Sequence, residues 1–254
     1  MRKNLIAGNW KMNANHLEAI QMVQKLSYRL DLADYERVDV VVCPPFTALR
    51  SAQTVIETDH LAIKLGAQNV DWHDQGAFTG EISPGMLHKL SVSYVIVGHS
   101  ERRQLFGETD EVVNLKAKAV VAANMTPIVC VGETEDERDA GEAEARVGSQ
   151  VQAAIVGLDP ETVASIVVAY EPIWAIGTGR TASADDAGAM CSFVREQIRN
   201  SVGAAAESTR VLYGGSVNPG NVSGLMAKQD IDGGLVGGAS LDPDMFASVI
   251  RYWV

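Results

Sequence analysis

Ser165-Ile166-Val167-Val168-Ala169-Tyr170-Glu171-Pro172-Ile173-Trp174-Ala175-Ile176-Gly177-Thr178-Gly179 is the stretch on which the fold turns. Its first six residues form an apolar, β-branched run with the length and richness of a buried strand. A carboxylate follows at Glu171, then Pro172, which cannot extend a sheet, then an apolar segment closing on Gly-Thr-Gly. A parallel α/β barrel presents a base in this way, with an acid at a strand's C-terminal end and a loop above it. A surface turn with a solvated glutamate would account for Pro172 and the glycines. It would not account for Ile173, Trp174 and Ile176, which a loop hides only by closing over something. A lid over about residues 172–182 is therefore expected.

Outward from this stretch, strand-like and helix-like segments alternate. The strand candidates are Leu5–Lys11, Val38–Cys43, Ala62–Ala67, Tyr94–Gly98, Pro127–Val131, Ser165–Tyr170, Val211–Tyr213 and Gly234–Val236. Most are short apolar runs without strict alternation, as expected where both faces of a strand are covered. Between them, Leu17, Ile20, Val23, Leu26 and Leu30 form one helical stripe, and Ala187, Met190, Cys191, Val194 and Ile198 another. Ser183 to Asp186 and Thr134 to Glu137 read as capping-box helix starts. Pro160 reads as a helix stop. Roughly eight such units with short connections favour one (β/α)8 barrel of parallel inner strands over an open doubly wound sheet. No linker composition divides residues 1–254, so a single domain is expected. The first βα turn lacks G-x-G-x-x-G, which leaves a dinucleotide fold without support.

The bulk numbers narrow the class. A length of 254 residues with 46% hydrophobic and 21% charged residues suits a globular barrel. No apolar run approaches the roughly 20 residues of a membrane span, and the N-terminus enters a strand without the pattern of a signal peptide. A cytoplasmic address follows. Cys43, Cys130 and Cys191 are far apart, without metal-ligand or disulfide-framework spacing, and read as small buried apolar residues. A net charge of −11 with no basic block argues against nucleic acid or an anionic membrane as partner. An anionic substrate would have to be drawn in by local groups.

In a barrel, the strand ends bring Asn9, Lys11, His99, Glu171, Ser216, Gly237 and Gly238 to one mouth. Glu171 is the candidate base, since a carboxylate that loses water under a lid becomes more basic. His99 begins a short helix, where the positive end of the dipole disfavours the imidazolium; a neutral ring can still donate a hydrogen bond. Lys11 supplies the local cation, and Asn9 would hold substrate oxygens. Glu101 would pair with Lys11 in the empty site. Gly214-Gly215-Ser216 and Gly237-Gly238 let backbone N–H groups approach a phosphate, and Gly177 would add another from the lid. The set suits proton abstraction beside a carbonyl on a small phosphorylated compound. No cofactor fingerprint or metal-ligand cluster is visible, and none is expected.

Five motifs in order resemble the triosephosphate isomerase family: Asn9-Trp10-Lys11, Gly98 to Arg103, Tyr170 to Gly179, Tyr213 to Ser216, and Val236 to Ala239. The resemblance implies a TIM barrel that interconverts dihydroxyacetone phosphate and D-glyceraldehyde 3-phosphate without a cofactor, in glycolysis and gluconeogenesis. The family is itself the standard example of a carboxylate base paired with a neutral histidine, and the resemblance implies those roles for Glu171 and His99. The long segment 68–83 holds Val70, Trp72, Ala77 and Phe78, a content typical of an interface. By resemblance it reaches into a second subunit of a homodimer, with Thr79 towards the partner's site. Arg180 stands at the lid hinge where the family's usual residue is lysine, and altered hinge contacts without loss of function are expected. A phosphate-binding barrel without turnover, or another small sugar-phosphate isomerase, is the alternative.

Overall fold

A computed structural model of the chain describes residues 2–176 and 181–254. Eight parallel strands run in chain order: β1 (Asn4–Asn9), β2 (Val38–Cys43), β3 (Lys64–Ala67), β4 (Val92–Val97), β5 (Thr126–Val131), β6 (Val167–Tyr170), β7 (Arg210–Tyr213) and β8 (Gly233–Val236). Each pairs with the next, and β8 closes on β1 through Leu5 opposite Gly233 and Gly8 opposite Val236. The chain is a closed (β/α)8 barrel.

The lack of polar alternation in the strands has a direct cause. Leu5 and Ala7 join Val41, Cys43, Ile96, Ile128, Ala169 and Leu212 in an inner core, while Ile6, Val40 and Val42 pack outward against the helices. Both faces are dry, so both are apolar. The Ala187, Met190, Cys191, Val194 and Ile198 stripe is buried as expected, on the helix Ala184–Val202. The first stripe is narrower than the sequence suggested. Val23 and Leu26 are buried, but Leu17 is exposed and Ala19 takes the inward position. All three cysteines are buried, and burial pushes the Cys43 thiol up to about 12, which leaves it inert.

Several boundaries differ from the sequence reading. Ser165 ends the helix Pro160–Ser165, and Ile166 caps it, so β6 begins two residues later than expected. Pro160 opens this helix instead of stopping one; its missing N–H and fixed φ suit the first helical turn, behind the Asp159 N-cap. Lys11 lies beyond the end of β1, with φ at +52°. Thr134 makes the expected capping box with Glu137, and Ser183 accepts from Asp186 N.

Candidate active site

The C-terminal ends of the strands surround a cavity of about 340 Å³. Asn9, Lys11, His99, Glu171, Ser216, Gly237 and Gly238 all line it, as does Ile176. Gly177 and Arg180 lie outside the described residues, with Thr178 and Gly179.

Glu171 follows β6 and is 2% exposed. Its backbone N–H donates to Val131 O at 2.7 Å, which fixes the turn against β5. The approach there is so close that a Cβ at Gly132 would fall 1.8 Å from Glu171 O, so only glycine fits. The side chain accepts from Ser100 N at 2.9 Å through Oε2, and Oε1 lies 3.0 Å from His99 Nε2. His99 caps the helix Ser100–Phe106, and its Nδ1 accepts from Glu101 N at 3.2 Å. An accepting Nδ1 leaves the ring proton on Nε2, facing the carboxylate.

The charges of this pair are set by each other. Burial alone would raise the Glu171 carboxyl; the adjoining His99 outweighs it, and together with the Ser100 N–H holds the group below the usual range. Burial alone would lower His99; the adjoining Glu171 carboxylate, with Glu101 adding to it, turns the net direction upward. Both directions are opposite to the sequence expectation, because that expectation contained burial and the helix end but not the contact between the two groups.

Lys11 has a left-handed backbone that a lysine rarely adopts. Its N–H donates to Asn9 Oδ1 at 3.0 Å, and its carbonyl accepts from Gln68 Nε2 at 2.8 Å. Two side chains therefore hold the peptide groups on either side of the unusual φ. The ammonium pairs with Glu101, and a Cβ at Gly237 would sit 3.7 Å from Lys11 Cε. The cation thus spans from the His99 helix to the last glycine turn. Among the described residues lining the cavity, Lys11 is the only lysine or arginine.

The glycine turns have distinct supports. Gly214 N donates to Tyr170 O at 2.7 Å, and Ser216 O accepts from Asn221 Nδ2 at 2.8 Å. Gly237 precedes the 3-10 turn Gly238–Leu241, closed by Ser240 Oγ donating to Gly237 O at 2.7 Å. A Cβ at Gly238 would meet nothing within 4 Å, so this backbone faces open space.

Two supporting residues escaped the sequence reading. Gln68 is one. Glu133 is the other, fully buried at 0% exposure, with Oε1 accepting from Tyr170 OH at 3.0 Å and Trp174 Nε1 at 2.9 Å. Arg138 pairs with Glu133 at 3.4 Å and stacks over Trp174. The position of Glu133 two residues after β5 was the available signal.

Away from the cavity, the segment 68–83 leaves Phe78 42% exposed, while Val70 is fully buried and Trp72 half-buried. A second hollow beside it, of about 270 Å³, is lined by Lys11, Met12, Phe46, Gln68, Glu101 and Phe106, among others, and Met12 is 95% exposed. Among the described residues, no three His, Cys, Asp or Glu stand together as a metal site, and no helix is long and apolar enough to cross a membrane.

The sequence profile described as triosephosphate isomerase matches residues 4–253. The triosephosphate isomerase of Streptomyces coelicolor is 53% identical over 252 residues, covering 99% of this chain and 98% of that protein. Those of Mycobacterium avium and Mycobacterium leprae are each 51% identical, over 249 and 253 residues, covering 98% of this chain and 95% of each relative.

Proposed function

The chain belongs to the triosephosphate isomerase family; it interconverts dihydroxyacetone phosphate and D-glyceraldehyde 3-phosphate, and we propose that Glu171 and His99 carry the proton transfer. Glu171 removes a proton from the carbon beside the carbonyl, leaving an enediolate. His99 donates its Nε2 hydrogen bond to the developing oxyanion, and Lys11 stabilises the negative charge. The proton then returns to the neighbouring carbon. The reading rests on the 3.0 Å approach of His99 Nε2 to Glu171 Oε1 in a cavity that Lys11, Ser216, Gly237 and Gly238 also line. When Glu171 turns to substrate, His99 loses the contact that raises it, and burial with the helix N-terminus favours the neutral ring. A coupled assay for triose phosphate interconversion tests the whole; phosphate-ligand binding without turnover would leave a binding barrel instead.

The mutual charge effect has a pH consequence. His99→Gln removes the group that holds the Glu171 carboxyl down and leaves burial, which pushes it up. The acid limb of kcat/KM should therefore move to higher pH than in the parent, measured with one substrate under the same salt. A limb that stayed in place would contradict the pairing.

The segment 172–182 is read as the cover, on the support of Ile176, which lines the cavity. A closed cover excludes water and holds the enediolate phosphate until it is reprotonated. Deleting residues 176–179 should slow isomerisation and raise the methylglyoxal released per turnover by phosphate elimination. Unchanged partition between the two products would remove the cover from the mechanism.

The active form is read as a cytoplasmic homodimer. The exposed tip at Phe78 and Thr79, together with exposed Met12 and Phe106 around the hollow beside Lys11, supports mutual insertion of segment 68–83. Sedimentation at low micromolar concentration should find no substantial active monomer; a fully active monomer would overturn this assembly.

A further inference from the structure

Arg103 does not line the cavity, yet its guanidinium grips the two strands beside the reacting pair. It lies in the helix Ser100–Phe106 that His99 caps, and its side chain is 9% exposed. Nε donates to Gly98 O at 2.7 Å, Nη2 donates to Cys130 O at 3.2 Å, and Nη1 pairs with Asp110. Gly98 is in the left-handed region at φ +67°, and a Cβ there would lie 3.0 Å from Arg103 Nη2 and 2.7 Å from Val113. The peptide that leads into His99 is thus turned into a conformation few residues adopt, and its carbonyl is held by an ionic hydrogen bond. Such bonds are shorter and stronger than neutral ones. The second carbonyl belongs to Cys130, whose buried thiol adjoins Glu171.

We propose that Arg103 is a positioning residue for the isomerisation: its fork ties the Gly98–His99 peptide to β5 and so keeps His99 Nε2 in register with the Glu171 carboxylate. The proposal rests on His99 and Glu171 as the reacting groups. A plain ion pair with Asp110 would not explain the geometry. Asp110 is partly exposed and has a second cation, Arg146, at 3.2 Å. A lysine would satisfy that carboxylate, whereas only a planar fork reaches two carbonyls and a carboxylate at once.

The test measures kcat, KM and melting temperature for Arg103→Lys and Arg103→Met, alone and on a His99→Gln background. Arg103→Met should lower kcat by roughly 10- to 100-fold, the scale of a small misplacement of a reacting group, with KM within about threefold. Arg103→Lys keeps the charge beside Asp110, so it should fold, lose less kcat, and shift the His99 ring nitrogen signals in NMR. Should the methionine variant not fold, the lysine variant decides by the same split. On the His99→Gln background, either substitution should cost little more, because an arginine acting through His99 has nothing left to position. Parental kcat with only a lowered melting temperature, or losses that multiply in the double variant, would overturn the role. A His99→Gln enzyme with parental kcat would instead overturn the underlying assignment, an outcome read independently of Arg103.

Discussion

Glu171→Gln should lower kcat by about 10³- to 10⁴-fold, the upper range of what a positioned general base contributes, while the barrel stays folded and KM changes by only a few-fold. The amide keeps the size of the side chain, and its single oxygen can accept from Ser100 N or from His99 Nε2 but not from both. What it loses is the ability to take a proton. Glu171→Asp keeps the acid but withdraws it by about one bond length, and a misplacement of that size costs about 100-fold. The pair of variants separates chemistry from geometry. Single-turnover and steady-state rates on both give the answer, and near-parental kcat in Glu171→Gln would remove this residue from the role of base.

Lys11→Met should cost about 10³-fold in kcat/KM, or ~4 kcal/mol of transition-state stabilisation. The size follows from what replaces the ammonium: among the described residues lining the cavity no other lysine or arginine is present, and the protein as a whole carries −11. A dianionic substrate and an enediolate both need that charge, so KM should rise and kcat should fall together. His99→Gln, by contrast, should lower kcat more than it raises KM, since the imidazole serves the oxyanion that develops during reaction. Steady-state kinetics in both directions distinguish the two patterns. A Lys11→Met enzyme with unchanged kcat and a raised KM would reduce Lys11 to a phosphate anchor.

The sequence made the barrel legible because its information there is local. Runs such as residues 40–43 and 127–131 are apolar on both faces, and their alternation with helical stripes has few other solutions. Asn9, His99 and Glu171 were legible for the same reason, as polar residues at the ends of apolar strands. What stayed hidden depends on partners distant in the chain. Gln68 matters through its bonds to the carbonyls of Lys11 and Cys43, and Glu133 through Tyr170 and Trp174. The place of Glu133 two residues after β5 marks it as a strand-end acid, but nothing near either residue names its distant partners. The left-handed backbone of Lys11 was likewise invisible, because a strand-like pattern runs through it. The directions in which the empty site shifts the two groups were not foreseen, for a related reason. Burial can be inferred from one residue and its flanks, but the 3.0 Å contact that outweighs it joins β4 to β6.

The most direct measurement follows the transferred hydrogen. Isomerisation of dihydroxyacetone phosphate in D₂O, with the product trapped as it forms and examined by NMR, reports whether the proton that reaches the new carbon has visited an exchangeable group. Transfer through Glu171 predicts carbon-bound deuterium at the position next to the product carbonyl in the parent enzyme, with its rate of appearance falling in parallel with turnover in Glu171→Gln. Product without carbon-bound deuterium, together with remaining dihydroxyacetone phosphate still unlabelled after many reversible turnovers, would mean that the hydrogen never reaches an exchangeable group, and would contradict proton transfer through a carboxylate base.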